Sequence, residues 1–146
     1  MRLAQFEGCT LLKDDCVDKG GSIDYMLIFP PPRPAGIAQL TVLPAYITDG
    51  SEELGAMFRS LGLGEGLVAY VVGFYPNGTA PDCEIVQHMR QGVGSALLDE
   101  MMQDAVGHGA ALIYVQPMRD SMRQFLRKHE FTFSGCETFA YKSLGQ

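Results

Sequence analysis

A short segment of alternating apolar and polar residues, Cys83 to Gln87, leads into Gln91-Gly92-Val93-Gly94-Ser95, and a helix-patterned run from Ser95 to Val106 leads out. Strand, glycine turn, helix is the pattern that most constrains this chain. Such a turn aims several backbone N–H groups and the positive end of a helix dipole at one point, a natural seat for a phosphate or pyrophosphate. Two glycines two apart say little alone, so their meaning depends on the pattern around them.

Downstream the pattern is regular. Val93, Leu97 and Met101, with Leu98, Met102 and Ala105, line one helix face, and Gly107 and Gly109 end that helix. Ala111 to Val115 reads as a short buried strand closed by Pro117. Ser121 with Gln124 three residues on predicts a capping box. Met122, Phe125, Leu126 and His129 then give the apolar side of a second helix. Phe131–Phe133 and Thr138–Tyr141 bracket a turn at Ser134-Gly135, as in a terminal hairpin.

Upstream, Ile23–Phe29 and Ile37–Leu43 are strand-like, and the Pro30-to-Gly36 segment between them reads as a loop because successive prolines remove backbone donors. Asp49 or Ser51 offers an N-cap ahead of Leu54, Met57, Phe58 and Leu61, spaced as on one helix face, and Gly62 and Gly64 stop that helix. Leu67–Phe74, rich in Val and Tyr, reads as a central strand, followed by a turn at Pro76-Asn77-Gly78. The sum is class α+β: a mixed, mostly antiparallel central sheet flanked by helices. A doubly wound nucleotide fold would need more strand–helix alternation in the first half.

The 146 residues fit a single domain, 1–146, able to bury a core without staples. The net charge of −6 argues against a nucleic-acid partner, which would demand clustered Lys and Arg, while leaving room for a cationic amine. Cys9, Cys16, Cys83 and Cys136 form no CxxC pair and only three histidines accompany them, so no metal site is expected. Cys83 and Cys136 read as small core residues, and Cys9 with Cys16 would be a bridge only in an oxidising compartment. The first residues lack the apolar run of a signal peptide, and Leu67–Tyr75 is too short to span a bilayer. The expectation is a cytoplasmic protein with no membrane partner.

From Cys83 to Leu144 the order strand, glycine turn, helix, strand, helix, paired strands resembles the GNAT acetyltransferases. Their signature of Gln/Arg-x-x-Gly-x-Gly/Ala followed by Leu-Leu is similar to Met89-Arg90-Gln91-Gly92-Val93-Gly94 followed by Leu97-Leu98. Their second motif resembles Phe125-Leu126-Arg127-Lys128-His129-Glu130-Phe131, and their last strand resembles Thr138–Leu144. The resemblance implies acetyl-CoA as co-substrate and an amine acceptor. It implies that backbone N–H groups from Gln91, Gly92, Val93, Gly94 and Ser95 bind the pyrophosphate, while the backbone edges of Ile85, Val86 and Gln87 pair with pantetheine. It further implies Arg90 or Lys128 as a phosphate contact. Such domains are often dimeric, and Leu67–Phe74 offers an apolar edge for a homodimer. Two departures stand out. Met89 replaces a polar side chain, and Leu126 stands where the family often has the tyrosine that protonates the departing thiolate. The first 80 residues match only loosely.

Transfer to an amine needs a base, an oxyanion donor and a proton for the thiolate. Glu84 is the candidate base, with a surface carboxylate on an edge position as its bland alternative; the tyrosine role is vacant or falls to Tyr114, Tyr141 or water, with buried packing as the bland alternative for Tyr114. His88 suits proton transfer by its ordinary pKa but reads equally as a turn residue. His129 reads as a core or boundary histidine. The N–H near Val86 is the implied oxyanion donor. Beside an N-acetyltransferase stand a catalytically silent CoA-binding or interaction module, and a nucleotide-binding module that lacks the P-loop lysine because Ser95 occupies that place.

Overall fold

The computed structural model describes residues 2–6, 9–29, 33–45, 52–63, 66–75, 93–117, 119–135 and 137–144. In chain order these form β1 (Arg2–Phe6), β2 (Cys9–Asp15), β3 (Ile23–Phe29), β4 (Arg33–Pro44), α1 (Glu52–Ser60), β5 (Leu67–Tyr75), α2 (Val93–Gly107), β6 (Ala110–Val115), α3 (Asp120–Lys128), β7 (Thr132–Phe133) and β8 (Ala140–Ser143), with a single 3-10 turn at Val17–Lys19. The class is α+β, with a mixed, mostly antiparallel sheet and flanking helices. The chain divides into two compact units. One comprises Met1–Thr41 and Val72–Asp104, the other Val42–Val71 and Ala105–Gln146. Among the described residues no helix is long and apolar enough to cross a membrane.

In the first unit β1, β2, β3 and β4 form an antiparallel meander. The alternation of a pleated strand sends Leu11, Ile23, Tyr25, Leu27, Ala38 and Leu40 to a buried face. Lys13 shares that face, directly after Leu11 and Leu12 and ahead of Asp14 and Asp15. A buried lysine breaks the apolar–polar alternation by which strands are read, which is why Cys9–Asp15 did not announce a strand. β4 is longer than its apolar run. Pro34 sits opposite Ile28 and Gly36 opposite Leu27, so the register slips by one residue there. The Pro-rich segment is therefore strand from Arg33 onward. Proline is tolerated in a sheet at such an irregularity, where a ladder hydrogen bond is already lost.

The second unit carries α1, β6, α3, β7 and β8 with the Leu67–Val71 part of β5. β5 and β6 run parallel, and β8 lies antiparallel between β6 and β7, so the terminal hairpin forms as expected. A parallel pair cannot be joined by a tight turn and needs a crossover, which the segment containing α2 supplies in sequence. β5 is an interior strand, as its apolar composition predicted, and not an edge open to a second copy.

In the second unit Ala45, Leu54, Phe58, Val68, Leu112, Tyr114 and Phe139 form an apolar cluster, with Leu43, Met57, Leu63, Tyr70 and Tyr141 packed against it. The helix ends fit their sequences. At α1 the Leu63 N–H bonds to the Phe58 carbonyl and the Gly62 N–H to that of Arg59, with Gly62 at φ +69°, a Schellman motif sealed by Leu63. α3 ends the same way, Phe131 to Leu126 and Glu130 to Arg127, but the left-handed position is filled by Glu130 at φ +65°. The capping box at Ser121 is not formed. α3 starts two residues earlier than that box requires, with Arg119 as N-cap, no side-chain cap, and Asp120 acidic in the first turn. An Asp120–Arg123 ion pair of 2.9 Å spans that turn, and the Asp120 charge complements the helix dipole in place of a cap.

Candidate functional site

α2 begins at Val93, the first residue of its apolar face and two residues ahead of the helix-patterned run read from Ser95. Val93, Gly94 and Ser95 are therefore first-turn residues. The first four N–H groups of any helix lack an intrahelical acceptor. Gly94 is buried and brings no side chain to that position. The first turn contains no acidic residue, so the positive end of the dipole is left uncompensated from within. A 15-residue helix that opens in this way fits an anion at its N-terminus. Its burial is apolar: Leu97, Leu98 and Met101 are fully buried.

A second feature of α2 was not foreseen from the sequence. Glu100 and Asp104, one turn apart, reach the buried amine of Lys13 on β2. Lys13 Nζ donates to Glu100 Oε2 at 2.6 Å and to both oxygens of Asp104 at 2.9 Å, with the lysine side chain 5% exposed. The Tyr25 hydroxyl donates to Asp104 Oδ2 at 2.7 Å. Burial and the Asp104 carboxylate beside it push the Tyr25 hydroxyl well above its ordinary value, because ionising it would place an anion in a dry site next to another. The signal was present in retrospect: Lys13 follows two leucines, and Glu100 and Asp104 flank Leu97, Met101 and Ala105 on the helix.

The other site residues expected from sequence fall out as follows. Tyr114 lies in the second unit, 3% exposed, its ring stacked on Tyr70 at 4.8 Å and edge-on to Phe58 at 5.3 Å. Leu126 is fully buried in α3. Lys128 is exposed in the last turn of the same helix. His129 is half-buried beside Phe125, ring centroids 4.6 Å apart, and its carbonyl accepts from Lys142. Glu84, Ile85, Val86, Gln87, His88, Arg90, Gln91 and Gly92 lie outside the described residues, as do Asp49, Ser51, Cys83 and Cys136. Cys16 is a free thiol; the Asp14 carboxylate, 3.7 Å away, raises its pKa by disfavouring a second negative charge.

No family model and no curated protein matches the chain. Solved structures do. A tyrosine-to-phenylalanine mutant of KacT matches with a TM-score of 0.58 at 12% identity, over 88% of this chain and 75% of that one. An acetyltransferase described as of the GNAT family, from Desulfovibrio desulfuricans, matches at 0.54 and 16% identity, over 87% and 71%. AtaT complexed with acetyl-methionyl-tRNAfMet matches at 0.54 and 10% identity, over 88% and 74%. AtaT was also solved with its antitoxin and with acetyl-CoA bound. At such identities the likeness is one of fold: the chain has the fold of the GNAT acetyltransferases. The exclusion of nucleic acid on net charge gains no support from these matches, since one of them holds a tRNA.

Proposed function

We propose that this chain is an acetyl-CoA-dependent N-acetyltransferase acting on a primary amine of a small molecule or protein. The observation that carries the reading is the first turn of α2, which begins at Val93 and holds no acidic residue, in a chain with the GNAT fold. Backbone N–H groups of Gln91 to Ser95 receive the pyrophosphate, with glycine at 92 and 94 allowing close approach. The strand edge of Ile85, Val86 and Gln87 pairs with the pantetheine, and Arg90 meets a phosphate.

The amine nitrogen attacks the thioester carbonyl, the C–S bond breaks, and the amide forms. The ammonium proton passes to Glu84, directly or through water, and the thiolate takes up a proton. Thiol release over an amine panel tests this. Turnover with one class of amine supports the reading, and a Glu84→Gln variant with unchanged rate and pH profile removes Glu84 as base. AtaT was solved with an acetylated aminoacyl-tRNA, so the panel includes an aminoacyl-tRNA. Tyr114 is tested by Tyr114→Phe, which keeps the ring in its stack and removes the hydroxyl. Lower kcat with unchanged acetyl-CoA affinity assigns the hydroxyl to proton delivery, and unchanged kcat leaves the residue to the core.

A second reading, a module that binds CoA without transferring the acetyl group, is favoured by Leu126. The position where the family often carries its acid is here a fully buried leucine. Saturable acetyl-CoA binding with no thiol release from any amine selects it.

A further inference from the structure

The two faces of the β2–β3–β4 ladder are used differently. One buries Lys13, Tyr25 and Ala38; the other, by alternation, carries Leu12, Asp14, Asp24, Met26, Ile37 and Gln39. The register sets these six in two rows. Leu12 lies opposite Met26 and Met26 opposite Ile37; Asp14 lies opposite Asp24 and Asp24 opposite Gln39. The rows are two residues apart along each strand, about 7 Å. With Val72 and Gly73 they line a cavity of about 580 Å³. Met26, Ile37 and Val72 stay 38%, 45% and 47% exposed, although each is a residue that burial would stabilise.

The acidic row sets two carboxylates face to face. Like charges directly across an antiparallel pair destabilise it. Among the described residues neither Asp14 nor Asp24 is ion-paired. Asp24 Oδ1 accepts from the Gln39 amide at 2.9 Å, which the Ser22 hydroxyl also shares at 3.0 Å, and Asp14 Oδ1 accepts only from the Cys16 thiol. An apolar trough three strands wide, closed at one end by two facing carboxylates, is complementary to a molecule with a positive head and an apolar body. Its volume is that of a small-ligand site and too small for a folded partner. A second copy is a poor occupant too, because each chain already carries a net charge of −6.

We propose that this cavity binds a small amphipathic organic cation, a protonated amine on an apolar chain or ring. The ammonium lies between Asp14 and Asp24, and the body lies along Leu12, Met26, Ile37 and Val72. The site stands independently of acetyl transfer, since none of its residues belongs to the proposed acetyl-CoA contacts.

Calorimetry at pH 7 with octylammonium, and with 1-octanol and octanoate as neutral and anionic matches, tests it. The expected result is one saturable site for octylammonium, at least about tenfold weaker binding of octanol, and none of octanoate. The double variant Asp14→Asn/Asp24→Asn should bring octylammonium down to the octanol level. The remote pair Glu53→Gln/Asp99→Asn makes the same change in net charge and should leave the discrimination intact. Val72→Trp, which fills the trough, should weaken cation and alcohol alike while circular dichroism stays that of the parent. Failure of octylammonium to saturate at millimolar concentration overturns the proposal. Equal affinity for octanol, or equal loss from the remote pair, does so too.

Discussion

The two units of the molecule bury different chemistry. The second is stabilised by an apolar cluster of Leu54, Phe58, Val68, Leu112, Tyr114 and Phe139, in which the aromatic rings of Phe58, Tyr70 and Tyr114 meet at stacking and edge-on distances. The first buries an amine between two carboxylates, with a tyrosine hydroxyl on one of them. An apolar core tolerates exchange of similar shapes and answers mainly to volume. A buried charge network contributes less net stability but is intolerant of losing any one partner, so it fixes which groups meet. Its two carboxylates belong to α2, the helix whose N-terminus is the proposed anion seat. The first unit therefore commits its specificity to that helix, and the second commits its stability to packing.

The largest effect expected from this contrast is at Lys13. Lys13→Met leaves Glu100 and Asp104 part-buried without their cation and should cost roughly 3–5 kcal/mol in denaturant unfolding. Adding Glu100→Gln and Asp104→Asn to that variant should recover most of the loss, because an apolar or neutral replacement of the whole network is close to neutral. No recovery would mean that the loss does not come from uncompensated carboxylates, and little loss in Lys13→Met itself would mean that the lysine acts through its stem alone. Next, Leu112→Ala in the second unit should cost roughly 2–5 kcal/mol, a cavity effect independent of pH. A strong pH dependence of that loss would break the contrast.

Tyr25→Phe is smaller, about 1.5 kcal/mol for a hydrogen bond to a charged acceptor that keeps its other partner. It also carries a pH signature. Tyr25 in the folded chain holds its proton above its ordinary value of 10. Its contribution is therefore complete below about pH 10 and is lost as pH rises beyond that. Stability curves of parent and Tyr25→Phe should converge on the alkaline side, and parallel curves would deny the linkage. Smallest is Glu130→Gly, which removes a side chain from a left-handed backbone position and should raise stability by about 1 kcal/mol in thermal unfolding.

The same contrast explains what was legible in the sequence. The second unit could be read because its residues obey their periods. Leu54, Met57 and Phe58 mark a helix face, Ala111–Val115 a buried strand, and Gly62 a stop. The first unit hid β2 because Lys13 occupies a core position, and it hid the start of β4 because Pro34 looks like a loop residue until a register slip accommodates it. The capping box at Ser121 failed for a related reason. Two residues at the right spacing describe a local option, and the helix used Asp120 one place earlier. At the candidate site the helix from Val93 was legible from its apolar face, while most of the glycine turn before it lies outside the described residues. The residues that anchor that helix lie 87 and 91 positions from their partner, a separation no local pattern carries.

The claim on which the functional reading turns is that the N-terminus of α2 receives the pyrophosphate of acetyl-CoA. Isothermal calorimetry with acetyl-CoA, run on the parent chain and on Gly94→Val, tests it directly. Saturable binding by the parent, abolished in the variant while its far-ultraviolet circular dichroism is retained, is the predicted result. Absence of binding by the parent at high micromolar acetyl-CoA, or unchanged affinity in the variant, would contradict it.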